Sequence, residues 1–334
     1  MSPMKMNEQR LWGIVLAAGE GVRVREFLRQ LCGGQGIKQF CAITGRRSLL
    51  EHTLARVERL IPRERILIVV SPRHRTEVEQ QLADWPADNI IYQLANRDTA
   101  PGILLPLAHV SHRDPFATVA IFPSDHCILK EAPFMAVVRQ AVGEVQRFLR
   151  AMILLGVTPD RVEEGYGWIE PEEKEIGCET RMVRRFWEKP SLLRAQELLA
   201  RGALWNTFVG VAQVSTLWLM ARQQAPDLYQ AFSEIRRALG TPDAPLVTER
   251  VYKTLRAVNF SSELCEPSAS WLRVLPVPEV GWSDWGSAER ICATLQQLGK
   301  MDDAVRRAYV ATAASQGEMS ILTFSGEEQI VNVA

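Results

Sequence analysis

A phosphate can be held where an apolar run breaks into glycines beside an arginine. Leu16-Ala17-Ala18-Gly19-Glu20-Gly21-Val22-Arg23 is such a place. Glycines let backbone N–H groups crowd around phosphate oxygens, and an arginine adds a rigid two-pronged donor. Two glycines alone are explained equally well by a tight strand-to-helix turn. Two specific rivals fail. A dinucleotide-binding G-x-G-x-x-G needs glycine where Val24 stands, and an acidic residue where Ser71-Pro72-Arg73 follows the second apolar run. A P-loop needs Gly-Lys-Ser/Thr, which the chain lacks. Downstream, Lys38 follows the tract Gly33-Gly34-Gln35-Gly36-Ile37, so a mobile loop could swing its ammonium onto a triphosphate. A surface lysine is the plain alternative. Asp125, in Phe122-Pro123-Ser124-Asp125-His126, is open to reading as a turn cap or as a ligand. His109 and His112 have no third metal ligand in sight and read as helix surface.

The elements that must carry these residues alternate along the first half. Leu11–Ala17, Ile66–Val70, Asn89–Leu94, Thr118–Phe122 and Met152–Val157 read as strands. Between them, Ser48–Ile61, Thr76–Leu82, the stretch from Pro101 to His112, and Pro133–Leu149 read as helices. The helix from Ser48 opens on a Ser48-x-x-Glu51 capping box. Such alternation predicts right-handed crossovers and a mostly parallel sheet, with ligands beyond the carboxyl ends of its strands. Gly19–Gly21 and Ser124–His126 both follow strands and should share that edge. From Gly165 the pattern changes to antiparallel structure (Gly165–Pro171, Met182–Lys189). Strands at Trp205–Val214 and Leu272–Val277 follow, with helices at Leu192–Arg201, Thr216–Gln224, Leu228–Leu239, Val247–Ala257 and Ser287–Leu298. The last thirty or so residues give a weak signal.

Thirty-nine Lys and Arg offset thirty-nine Asp and Glu, which argues against a nucleic-acid or anionic-membrane binder working by bulk charge. No run approaches the ~18 apolar residues of a membrane span, and the N-terminus has no apolar signal stretch. Six scattered cysteines without a C-x-x-C fit reduced thiols in a cytoplasmic protein.

Leu-Ala-x-Gly-x-Gly-x-Arg followed by Lys38-Gln39-Phe40 resembles the sugar-phosphate nucleotidyltransferases, and within them the mannose-1-phosphate guanylyltransferases. The similarity continues in order through Arg97-Asp98-Thr99-Ala100-Pro101, Phe122–His126, Gly165-Tyr166-Gly167-Trp168-Ile169-Glu170, Phe186-Trp187-Glu188-Lys189-Pro190, Trp205-Asn206 and Gly281-Trp282-Ser283-Asp284-Trp285-Gly286. The resemblance implies a Rossmann-like, mostly parallel sheet flanked by helices, with an antiparallel sugar-binding portion and a short C-terminal annex. Residues 1–299 would form the catalytic domain and 300–334 the short C-terminal segment. It implies transfer of a nucleotide from a nucleoside triphosphate, GTP first, to a sugar 1-phosphate, mannose 1-phosphate first. Leu16, Ala17, Ala18, Gly19 and Gly21 would hold the nucleotide, together with Thr99, Ala100 and Pro101. Arg23 and Lys38 would act on the triphosphate. Asp125 and Asp284 would hold Mg²⁺ against the α-phosphate, as hard carboxylates with substrate oxygens usually do. Gly167, Glu188, Lys189 and Asn206 would hold the sugar phosphate.

Some positions depart from the family pattern. Val22 replaces a usual Ser or Thr, Ile37 a usual proline, and the stretch from Arg23 to Lys38 is longer. Asn259-Phe260-Ser261-Ser262-Glu263-Leu264 stands where guanylyltransferases show a Ser-Ile-Asp-Tyr-like stretch, which bears on the sugar. No appended isomerase domain of the cupin type is expected, and the tail is a candidate docking or homodimer-forming segment. The rival readings are a uridylyl-, thymidylyl- or cytidylyltransferase on another sugar 1-phosphate, and a nucleotide-sugar-binding homologue without turnover.

Overall fold

The computed structural model describes residues 10–316 and the strands at 321–324 and 327–330. They fall into two compact units. One comprises the residues up to Gly19, Thr53–Ser124 and Ile128–Trp282; the other comprises Glu20–His52, Asp125–Cys127 and the residues from Ser283 onward.

The first unit is built on a nine-stranded sheet. Its strands are β1 (Leu11–Ala17), β2 (Ile66–Val70), β3 (Ile90–Tyr92), β4 (Thr118–Pro123), β5 (Met152–Val157), β6 (Gly167–Pro171), β7 (Arg181–Glu188), β8 (Leu204–Gln213) and β9 (Leu272–Val277). They lie in the order β3-β2-β1-β4-β8-β5-β9-β7-β6, with β8 also pairing β6. The first four pair in parallel. This is the half read from strand–helix alternation. β1, β2 and β4 are almost continuously apolar because both faces are covered. β8 then runs antiparallel between β4 and β5. β6 and β7 form an antiparallel pair that joins this same sheet through β9.

The helices of this unit include α4 (Thr99–Arg113) and α5 (Glu131–Arg147), here numbered after α1 (Arg25–Cys32), α2 (Leu49–Val57) and α3 (Arg75–Gln81). A continuous core joins Ile14, Leu67 and Ile121 to Ile103, Leu107 and Val110 of α4. The Ser48–Glu51 box is made as expected: the Glu51 N–H donates to Ser48 Oγ at 3.1 Å and the Ser48 N–H to Glu51 Oε2 at 2.7 Å. The start of α4 differs from expectation. Asp98 caps it, accepting from the Thr99 N–H at 2.6 Å, so Pro101 is the third helical residue instead of the first. Thr99 is released for another contact, described below.

In the second unit, α1 packs against a helix at Asp303–Gln316, in the tail that gave a weak signal. Among the described residues no helix is long and apolar enough to cross a membrane.

Ile14 sits fully buried at the centre of the parallel half, in register with Leu67 and Ile121. Ile14→Ala should therefore lower the unfolding free energy by about 2–5 kcal/mol, read from urea denaturation; a loss below about 1 kcal/mol would contradict this placement.

Candidate functional site

In the second unit the chain brings together residues that lie far apart in sequence. Lys38 opens a 3-10 turn (Lys38–Phe40) after three glycines in left-handed conformations, Gly33, Gly34 and Gly36. It is 4% exposed. Its ammonium donates to Asp125 Oδ2 at 2.9 Å and to the backbone carbonyl of Asp284. A buried ammonium is tolerated only when its donors are satisfied, so the partners are needed for the lysine to sit there at all. Asp284 is fixed in turn: its Oδ1 accepts from the Gly286 N–H and from Arg290 Nη1, each at 2.8 Å. Ser287, not Asp284, caps the next helix, Ala288–Gln297.

Burial works against the charge on Asp125, but attraction to Lys38 and then to His126 outweighs it and holds the carboxyl below its ordinary range. Asp284 is likewise lowered against burial, by His126, Arg290 and Lys38. Both carboxylates are thus ionised near neutrality. Among the described residues no group of three or more His, Cys, Asp or Glu is assembled to hold a metal by itself. Two ionised carboxylates around one ammonium fit a cation that takes few protein ligands and completes its shell with phosphate oxygens and water, as Mg²⁺ does.

Gly21 explains how the glycine loop and Lys38 coexist. Its φ is +56°, and a Cβ there would come within 3.0 Å of Lys38 Cβ. Gly36 is equally constrained, since a Cβ would meet the Arg25 carbonyl at 2.4 Å. The added length between Arg23 and Lys38 is α1 plus this glycine turn. Arg23 lies in a one-turn 3-10 helix and is exposed.

The first unit contributes a cavity of about 490 Å³ beyond β1 and β3, lined by Leu16, Ala18, Gly19, Gln93, Asn96, Asp98, Thr99 and Gly102 among others. Ala17, Ala100 and Pro101 are buried and are not among its lining residues. Gln93 escaped the sequence reading. It is buried, and its Nε2 has no hydrogen-bond partner, an arrangement that costs free energy unless a ligand pairs it. It lies inside the run Asn89–Leu94 read as a strand, whereas the structure ends that strand at Tyr92.

Gly167, Glu188 and Asn206 meet on β6, β7 and β8, with Lys189 directly after β7. Gly167 is in register with Glu188, and a Cβ on it would fall 3.0 Å from Glu188 Oε2 and 3.4 Å from Asn206 Cβ. Lys189 Nζ lies 3.8 Å from Glu188 Oε1. Burial raises the Glu188 carboxyl above its ordinary value, against the opposing pull of Lys189 and a hydrogen bond with Ser261. The departing stretch after Val258 is a π-helical turn (Phe260–Cys265). Its Phe260 N–H donates to Thr99 Oγ1 at 2.8 Å while Ser261 reaches Glu188. One short segment therefore touches both the cavity lining and the Gly167–Asn206 cluster. The left-handed non-glycine residues described are Asp98, Lys189, Phe208 and Trp285, every one in or next to these clusters.

The nucleotidyl transferase model of protein families matches residues 12–300. The chain belongs to the nucleotidyl transferase family. It is 29% identical over 294 residues to a mannose-1-phosphate guanylyltransferase of Escherichia coli (strain K12), covering 84% of this chain and 59% of that protein. This nucleotidyl transferase chain therefore spans less than two thirds of that curated relative. A crystal structure from Thermus thermophilus, named as a mannose-1-phosphate geranyltransferase, is 25% identical with a TM-score of 0.71, over 88% of this chain and 80% of that one. A UDP-glucose pyrophosphorylase solved with UDP-glucose, at 14% identity and TM-score 0.54 over 87% and 99% of the two chains, shares the fold.

The lysine–carboxylate cluster of this nucleotidyl transferase has a pH signature. A carboxyl held low in the folded state adds stability above its unfolded value, and that stability is lost as pH falls through the folded value. Lys38→Met removes a charge that lowers both Asp125 and Asp284. The variant should be less stable than wild type at neutral pH, and the gap should narrow on acidification through the carboxylate range. Chemical denaturation at a series of pH values checks this; a gap constant down to about pH 3 would show that Lys38 does not bias these carboxyls.

Proposed function

We propose that the chain transfers GMP from GTP to mannose 1-phosphate, releasing pyrophosphate and forming a nucleotide sugar. The observation that carries this reading is the meeting of Lys38 with Asp125 and Asp284, 87 and 246 residues away in sequence, in a chain of this family. Nucleotidyl transfer asks little covalent work of a protein; charge neutralisation and positioning supply the rate. An oxygen of the sugar phosphate attacks the α-phosphorus, and the bond to the β-phosphate oxygen breaks.

In this reading Arg23 and Lys38 donate to the triphosphate, and the N–H groups around Gly19 and Gly21 approach its oxygens. Asp125 and Asp284 hold Mg²⁺, which would neutralise charge building at the α-phosphate. Lys189 binds the sugar phosphate, Glu188 and Asn206 accept from and donate to sugar hydroxyls, and the bare Gly167 backbone leaves room for the ring. The Gln93 amide, with a donor and an acceptor side by side, suits a base presenting a carbonyl next to a ring N–H. Guanine does so, and so do uracil and thymine. The choice of guanine and mannose is supported by Lys38-Gln39-Phe40 and by the names of the relatives.

The test is pyrophosphate release with each nucleoside triphosphate against a panel of sugar 1-phosphates and Mg²⁺. GTP with mannose 1-phosphate should give the highest kcat/KM. Asp125→Asn and Asp284→Asn should each lower kcat by ~10²-fold or more with the circular dichroism spectrum unchanged. Release only with UTP or dTTP would replace the guanylyl assignment, and no release with any pair would leave a non-catalytic binder.

A further inference from the structure

The Gly167–Asn206 cluster and the cavity lined by Thr99 both belong to the first unit, and one pair of aromatic rings joins them. The link starts at a bulge in β8. Between the pairs Leu154–Gly210 and Gly156–Asn206, β8 advances four residues while β5 advances two. Thr207, fully buried, anchors the extra chain. Its hydroxyl donates to the Leu155 carbonyl at 2.8 Å and accepts from the Val209 N–H at 3.2 Å. Next to it Phe208 is left-handed, with φ +62°. The Phe208 N–H turns back to donate to Asn206 Oδ1 at 3.1 Å. The oxygen of that amide is therefore committed to the backbone, and Nδ2 is left as the donor for a ligand.

The half-buried Phe208 ring meets the Phe260 ring edge-to-face, with centroids 6.5 Å apart and planes at 62°. Phe260 is buried and opens the π-helical turn. The chain entering that turn is laid along the start of α4. The Val258 N–H donates to the Arg97 carbonyl at 3.0 Å, and the Ala100 N–H to the Val258 carbonyl at 2.9 Å. Asn259 Nδ2 donates to Asp98 Oδ1 at 3.2 Å, and the Phe260 N–H to Thr99 Oγ1 at 2.8 Å. Glycine would take the conformation of residue 208 freely, and bulges beside ligand sites re-aim single side chains. What phenylalanine adds there over glycine is the ring, and the ring touches Phe260.

We propose that Phe208 is a positioning residue that couples the Asn206 cluster to the Thr99 cavity, so that sugar phosphate and nucleotide strengthen each other's binding. A sugar-phosphate oxygen that accepts from Asn206 Nδ2 fixes the amide, and with it the Phe208 N–H and ring. The ring steadies Phe260, whose N–H holds the Thr99 hydroxyl at the cavity wall. Linkage makes the effect reciprocal: nucleotide against Thr99 steadies Phe260, and through the rings the Asn206 amide. The identity of the two ligands rests on the nucleotidyl-transfer reading; the hold of the Phe208 ring on Phe260 does not.

Two measurements on the full chain test this, with Phe208→Gly removing both strain and ring and Phe208→Tyr keeping the ring. In the first, calorimetry follows binding of a GTP analogue with a methylene between the α- and β-phosphorus, which cannot release pyrophosphate. Saturating mannose 1-phosphate should tighten its binding about fivefold or more in wild type and in Phe208→Tyr, and less than about twofold in Phe208→Gly. In the second, native-state hydrogen exchange without ligands is followed by NMR. The Phe260 amide should exchange about fivefold faster or more in Phe208→Gly, with β1 amides still protected and Phe208→Tyr like wild type. Two ligands that bind wild type independently, a wild-type ratio retained in Phe208→Gly, or unchanged Phe260 exchange overturns the proposal. Accelerated Phe260 exchange in a protein whose wild type binds neither ligand would uphold the ring's hold on Phe260 and defeat the transfer reading.

Discussion

A buried ammonium is the constraint around which the second unit is organised. Taking a charge out of water is costly, and Lys38 is tolerated because its donors reach a carboxylate and a backbone carbonyl. The neighbouring features follow from that requirement. Gly21 must lack a side chain so that Lys38 can pass it, and the chain at Asp284 must be held by Gly286 and Arg290 so that its carbonyl stays in place. The same arrangement keeps two carboxylates ionised side by side, a repulsive situation that a bound cation would relieve.

The first unit gathers polar groups at two places, the cavity and the Gly167–Asn206 cluster. Its parallel strands end near Gly19 and Gln93, where an open sheet offers its crevice. The antiparallel strands put Gly167, Glu188 and Asn206 side by side through pairing register, so that a one-residue slip would face them the other way. The turn from Asn259 to Cys265 touches both sets, through Thr99 and through Glu188. A change of sequence there acts on both at once, which gives weight to its departure from the guanylyltransferase pattern.

Much of this was legible in the residues. The runs Leu11–Ala17, Ile66–Val70, Met152–Val157 and Leu272–Val277 are strands to the residue because buried strands are largely apolar and end at polar or glycine-rich turns. The Ser48–Glu51 box was visible because capping is local. What escaped depends on partners distant in sequence. Nothing local says that Leu204–Gln213 inserts antiparallel between two strands of the other direction. The helix read from Pro101 begins two residues earlier, at Thr99, where Asp98 caps it and the Phe260 N–H, far along the chain, donates to the threonine hydroxyl. Gln93 was invisible because a lone polar residue carries no spacing signal.

Asp98, Lys189, Phe208 and Trp285 hold backbone conformations that side-chain-bearing residues rarely adopt. Each such residue costs of order 1–3 kcal/mol, sustained only by the structure around it. The strain is unevenly placed: the four parallel strands carry none of these residues, and the segments that do lie beside the cavity, the Gly167–Asn206 cluster and Asp284. Under native conditions the amide protons of these segments should exchange with solvent well before those of β1 and β4.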